Sequence, residues 1–232
     1  WSYSINTTSF PDGSKTFQVR STDNAGNQST VSHTLLVDNT PPTSSHSIAG
    51  TMGNNGYYVP ATVVTISATD ATRGVASRTF DGANYTAPVT ISTQGTTSHT
   101  YFATDAAGNN STTGSFTIKV DTVAPSAAIS SHTSNQPVRG TISLGGSVSD
   151  ASSGVFSVEV STNGGTSWNT ATLSGGSWSY SIDTTAFPDG SKTFQVRSTD
   201  NAGNMQGAIS QALLIDNTPP TITISAPSTT IT

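Results

Sequence analysis

Apolar and polar residues alternate along this chain in short runs, and the runs are separated by clusters of Gly, Asn, Asp, Ser and Pro. A period of two residues marks a strand with one buried face, whereas an amphipathic helix repeats every 3.6. The stretch from 124 to 218 shows the pattern most completely. A first strand is predicted near Ser126 to Ser131, and a second from Thr141 to Ser149 with Ile142, Leu144 and Val148 on one face. A third, Val155 to Ser161, is expected to turn Phe156, Val158 and Val160 inward and Glu159 outward. A fourth holds Trp168, and a fifth runs from Trp178 to Ile182. The sixth buries Phe194 and Val196 while Gln195 and Arg197 face water, and the seventh carries Leu213 and Ile215. Turn chemistry falls between the runs. Asn163-Gly164-Gly165 accepts the positive φ of a tight hairpin, and Phe187-Pro188-Asp189-Gly190 joins a fixed φ to a free one. No window sustains a helical apolar period.

Seven short alternating strands predict an all-β fold, an immunoglobulin-like β-sandwich. The unit recurs. Trp1 to Asp38 matches Trp178 to Asp216 almost throughout, at an offset of about 177 residues. Ser21-Thr-Asp-Asn-Ala-Gly-Asn27 returns letter for letter at Ser198 to Asn204, with a cousin at Ala103 to Asn109. The chain therefore reads as tandem sandwich domains in a linear array. Residues 1–40 are the back half of one domain, 41–123 and 124–218 are two complete ones, and 219–232 hold the first strand of a further one, near Thr221 to Ser225. In the middle domain Val64, Ile66 and Ala68 form the second strand, Asp81-Gly82 a hairpin turn, Val89 and Ile91 the fifth strand, Tyr101 the sixth, and Phe116, Ile118 and Val120 the last. A start inside a repeat predicts that the chain is a piece of a longer protein. Strand exchange with a neighbour is a second reading of the same two ends.

Composition narrows the function classes. Net charge is −5, and the 8 Lys and Arg are spread singly, so no basic stripe exists for nucleic acid. There is no Cys, hence no disulfide frame or thiol chemistry. No run is apolar enough to predict membrane insertion of this segment. His33, His46, His99 and His132 are scattered without metal-ligand spacing, so no enzyme activity is expected. Glu159 is the only glutamate, and every other acid is Asp. That bias points to turns, caps or metal ligation, where a short carboxylate stays close to the backbone.

One resemblance sharpens this. Tyr57-Tyr58-Val59, Val64 to Asp70, Gly74-Val75, Phe80-Asp81-Gly82 and Ala103 to Asn109 look like an OmpL47-type β-domain. The flanking units, with Asp150-Ala-Ser-Ser-Gly154-Val155 and Thr199 to Asn204, resemble bacterial immunoglobulin-like domains of adhesins. Arg73 stands where that loop usually has Ser before the Gly. The resemblance implies an extracellular or cell-surface setting. It implies stalks, spacers, adhesive arms or filaments, whose partners are neighbouring repeats, further copies in a filament, or a surface or glycan ligand.

Counting strands places six Asps. In a sandwich the second and sixth strands end at the same edge, where the chain arrives from the preceding domain. Asp150, Asp200 and the linker residue Asp121 are predicted to converge there, and Asp70, Asp105 and Asp38 repeat the trio one domain earlier. Three converging carboxylates repel unless something neutralises them. Ca²⁺ is the candidate cofactor, because it takes six to eight oxygens. A structural reading stands beside it: each Asp can bond to the amides of its own turn. Trp168, Trp178, Tyr57 and Tyr58 offer a glycan platform, against which stands packing in the core.

The function expected is a non-catalytic structural segment of a large bacterial surface or extracellular protein. Thr-Pro-Pro and Val-Ala-Pro linkers, too short and stiff for free swivelling, favour it. The alternative is a spacer or carbohydrate-binding accessory module of a secreted polysaccharide-active enzyme.

Overall fold

A computed structural model describes residues 1–223. Of the predicted strand at Thr221 to Ser225, residues 221–223 are described and are not in a strand, and the remainder lies outside the described residues. The chain divides into two compact units, one of Trp1–Met52 and Pro60–Val120, the other of Gly53–Val59 and Asp121–Thr232. Regular structure among the described residues is strand, with three single turns of 3₁₀ helix.

The first unit contains a hairpin and a sandwich. Gly13–Thr22 pairs antiparallel with Gln28–Val37. In the sandwich, Thr43–Ala49 and Val89–Ile91 flank Thr62–Thr69 in one sheet. Gly95–Asp105 lies between Val75–Phe80 and Gly114–Val120 in the other. Val64, Ile66, Ala103, Ile118 and Val120 close the space between them, as alternation requires. The rest of this core is aromatic and partly polar. His46 stacks on Phe116 at 4.1 Å between ring centroids and bonds Tyr101 Oη. His99 stacks on Phe80 while its Nδ1 meets Asp81 Oδ2 at 2.7 Å. Two histidines that the sequence leaves scattered are thus packing residues, each with a hydrogen-bond partner that makes its burial affordable.

The second unit carries the seven-strand pattern with two corrections: the first strand is confined to Ser126–Ala127, and the fourth, Asn169–Thr170, begins after Trp168. Thr141–Ser149 pairs with Ser177–Asp183, which also pairs with the short Thr172–Ser174 strand. The facing sheet orders Ile209–Ile215, Gly190–Asp200, Val155–Ser161 and Asn169–Thr170. Pro137–Val138 joins its edge in parallel beside Ile209–Ile215. Leu144, Val158, Val160, Phe194, Val196 and Leu213 are fully buried between the sheets, and Trp178 closes one side with its Nε1 donating to the Ala128 carbonyl. Gly146 is required here: a Cβ on it would stand 1.8 Å from the Ala128 carbonyl oxygen. Phe156 corrects the simple alternation. The register shifts by one residue between Val155 and Ser157, and Phe156 is 66% exposed rather than inward. A bulge adds one residue to a strand, so the side chains before it lose their phase with those after it.

The repeated segment at 1–38 contributes only a hairpin among the described residues, whereas its copy at 178–216 lies in a two-sheet core. Trp178 is 3% exposed and its counterpart Trp1 is 94% exposed. The turn before each long strand is nevertheless the same in both copies. Asp183 caps the 3₁₀ turn Thr184–Ala186 through Thr185 N, and Asn6 caps Thr7–Ser9 through Thr8 N. Further on, Asp189 accepts from Asn217 N and Thr218 Oγ1, as Asp12 accepts from Asn39 N and Thr40 Oγ1. These bonds favour the charged carboxylates. The Asn217 amide and then the Thr218 hydroxyl hold Asp189 below the usual Asp range, and the Thr40 hydroxyl and then the Asn39 amide do the same for Asp12.

Two outcomes are expected. Phe194→Ala leaves a cavity between the sheets and should lower stability of the second unit by about 3–5 kcal/mol in chemical denaturation. A depressed folded pKa contributes stability that is present above the unfolded value, about 3.9, and lost as pH falls through the folded one. Asp189→Asn should therefore flatten the fall of the denaturation midpoint between about pH 5 and pH 3.

Candidate metal centre

Each Asp of the repeated Asp-x-Ala-Gly-Asn turn folds its carboxylate back onto the turn that follows it. Asp200 Oδ1 accepts from the amides of Gly203 and Asn204 at 2.7 and 2.8 Å. Asp105 Oδ1 accepts from Ala107 and Asn109, and Asp23 Oδ1 from Ala25 and Asn27. The chain can close so tightly because Gly203 sits at φ +100°, a left-handed region that side chains disfavour. In all three copies the second carboxylate oxygen takes the side-chain amide of the closing Asn, at 2.8 Å. The turn at Asp23 makes these bonds although it is exposed. The turn is thus self-sufficient, as the structural reading of these Asps anticipates.

Two of the three copies do more. Asn204 Nδ2 also donates to the backbone carbonyl of Asp121, and Asn109 Nδ2 to that of Asp38. The closing Asn therefore ties the turn to the linker residue. Composition and strand counting give no sign of this role, although the letter-for-letter return of the Asn is consistent with it.

The third member of each group comes from the loop after the second strand. Asp150 Oδ1 accepts the amides of Ser152, Ser153 and Gly154, and Asp70 Oδ1 those of Thr72, Arg73 and Gly74. The result is two trios inside the units. Asp38, Asp70 and Asp105 lie in the first, and Asp121, Asp150 and Asp200 in the second, each trio offering carboxylate oxygens all within 4.8 Å of one another. All six residues singled out by strand counting are thereby brought together in the predicted groups. In each trio two members are buried and the third, Asp70 or Asp150, is partly exposed.

The two trios are not equally satisfied. Asp121 is fully buried; its Oδ1 accepts from Val123 N and its Oδ2 from Ser153 N at 3.0 Å. Asp38 is 8% exposed; its Oδ1 accepts from Thr40 N at 3.3 Å, but its buried Oδ2 has no partner. Burial, and then the negative charges of Asp70, Asp105 and Asp12, push the Asp38 carboxyl above its usual range. Burial acts on Asp105 in the same direction, but the Asn109 side chain and the amides of Asn109, Ala107 and Gly108 more than offset it, so that carboxyl is lowered. Two oxygens on opposite sides of a Ca²⁺ ion lie about 4.8 Å apart at ordinary bond lengths. The spacing and the orphaned Asp38 oxygen both fit an oxygen-seeking cation.

Of the aromatic residues named for a glycan platform, Trp178 is buried in the core, and Trp168 is partly buried with its Nε1 bonded to the Gly165 carbonyl. Arg197 covers the Trp168 ring at 4.3 Å and is held by Glu159. Tyr57 and Tyr58 lie in Gly53–Val59, the segment of the 41–123 stretch that groups with the second unit. Asn54 N and Asn55 Nδ2 of that segment donate to the carbonyls of Ala202 and Asn201.

Two-sheet sandwiches with an acidic cluster at one edge, repeated along a chain, define a tandem immunoglobulin-like protein. The profile described as bacterial Ig-like domain (group 3) matches residues 1–93 and 176–232, and that described as bacterial Ig domain matches 125–196. The chain belongs to the bacterial Ig-like domain (group 3) family. No curated protein matches it. Among solved structures it is similar to the endo-β-1,4-mannanase of Thermotoga petrophila, at 17% identity and TM-score 0.36, over 42% of this chain and 21% of that one. It is also similar to fibronectin(III)-like modules of Clostridium thermocellum CbhA, at 11% identity and TM-score 0.37, over 75% and 95%. A tetra-tandem repeat from the extending region of a large adhesion protein is similar at 22% identity and TM-score 0.35, over 89% and 57%. The chain thus spans about a fifth of the mannanase. No helix among the described residues is long and apolar enough to cross a membrane.

Asp200→Ala removes the carboxylate that accepts from the Gly203 and Asn204 amides and from the Asn204 side chain. It should destabilise the second unit by about 2–4 kcal/mol in urea titration. Asp23→Ala, on the exposed copy of the turn, should shift the midpoint far less.

Proposed function

We propose that this chain is a non-catalytic structural segment of a large bacterial cell-surface or extracellular protein, a stretch of stalk, adhesin arm or filament. In this reading the two trios hold Ca²⁺, and residues 41–123 are an OmpL47-type module. The observation that carries it is the recurrence of one buried acidic arrangement where a linker residue meets each complete repeat. Asp38 and Asp121 open the Pro-containing linkers, and their carbonyls are tied by Asn109 and Asn204 to turns of the repeat that follows. A cation shared by linker and loops would add to that tie without any substrate chemistry. Ca²⁺ supplies charge neutralisation and a rigid oxygen shell. The Asps present carboxylates already held by their own turns, which lowers the ordering cost of binding.

The test is thermal unfolding of the whole chain in millimolar Ca²⁺ and in excess EDTA, with the force needed to unfold single molecules measured in both. At free Ca²⁺ about a hundredfold above Kd, binding to the folded form alone adds about 2.7 kcal/mol. The melting temperature should rise by roughly 5 °C or more and unfolding forces should rise with it. Equal melting temperatures and equal forces in the two buffers would sink the metal reading. Unfolding at negligible force in both would sink the reading as a stalk or filament segment.

A further inference from the structure

The two trios differ in one chemical respect, which traces to a single loop position. In the second unit Ser153 does two jobs. Its Oγ accepts from Ala202 N of the neighbouring turn, and its own amide donates to Asp121 Oδ2. The corresponding position in the first unit is Arg73, which has no hydroxyl to offer. There the amide of Ala107, the counterpart of Ala202, goes to Asp105 Oδ1 instead. Arg73 N bonds only Asp70 Oδ1 among the carboxylates, and the Arg73 side chain reaches out to the Leu36 carbonyl at 3.4 Å. Asp38 Oδ2 is left buried without a donor.

We infer that the Asp38–Asp70–Asp105 trio is the tighter divalent-cation site of the pair, and that Arg73 in place of a serine makes it so: without a hydroxyl to hold the loop to the neighbouring turn as Ser153 does, the loop amide stays on Asp70 and Asp38 Oδ2 is free to ligate. The inference rests on the reading that these trios take Ca²⁺. A buried carboxylate oxygen without a donor is costly, and a cation removes that cost on binding. At Asp121 the Ser153 amide has already removed it. A cation there gains less, because it shares an oxygen whose charge is partly spent on an N–H. Arg73 brings a positive charge near the first trio, which by simple electrostatics opposes cation binding. It is exposed, however, and charges in water are strongly screened. The two effects therefore predict opposite consequences of removing it.

Calorimetric titration of the whole chain with Ca²⁺ alone, after exhaustive chelation, reads the result. Two sites are expected, separated by about tenfold or more in Kd. Asp38→Asn should abolish the tighter event, and Asp121→Asn should leave it within twofold. Arg73→Ser keeps every carboxylate and supplies the missing hydroxyl, so it should weaken the tighter site toward the affinity of the other. Circular dichroism of each variant separates lost binding from lost folding, and Arg73→Ser, a surface change, carries the decision if Asp38→Asn unfolds. Equal sites in the parent chain, loss of the tighter event in Asp121→Asn, or tighter binding in Arg73→Ser would each overturn the inference while leaving Ca²⁺ binding intact. No heat and no stabilisation in the parent chain would overturn both.

Discussion

A carboxylate folded back onto the amides of its own turn is the contact on which the edge of each sandwich depends. It satisfies the amides that a tight reversal leaves without strand partners, and it fixes where the next strand begins. Around it the Asn two residues after the turn's Ala reaches across to the linker carbonyl, so a local turn becomes a fastening between the strands and the chain that enters them. The exposed copy at Asp23 keeps the local bonds.

The fastening creates an electrostatic problem. Gathering three carboxylates within 4.8 Å in partly buried places sets like charges against one another. Backbone amides meet most of the demand, since Asp70 and Asp150 each take three. What remains differs between the units by one N–H, and the orphaned Asp38 oxygen is where a cation has most to gain. Metal binding and turn formation are thus not competing accounts of these residues. The turn presents the acids, and an ion would neutralise what the turn leaves over.

Much of the architecture was legible from period-two alternation and turn residues, because those are local steric facts. The long strands, the burial of Phe194, Val196, Leu213 and Ile215, and the grouping of the six Asps follow from alternation and from strand parity. Phe156 escaped that logic, since a bulge inserts one residue without any letter announcing it. His46 and His99 escaped too, because their role as stacked core residues depends on Phe116, Phe80 and Asp81 from other strands.

The sequence by itself determined the repeat, the all-β class and the residues that turn. Each of these rests on neighbours a few positions apart. Only the tertiary structure decided where alternation breaks: Phe156 lies outward because the strand bulges between Val155 and Ser157. Only it decided that Ser153 closes one acidic trio while Arg73 leaves the other with a bare oxygen. The reason is that solvation and hydrogen-bond satisfaction are set by whatever the fold brings within about 3 Å, and strand order rather than chain order chooses those groups.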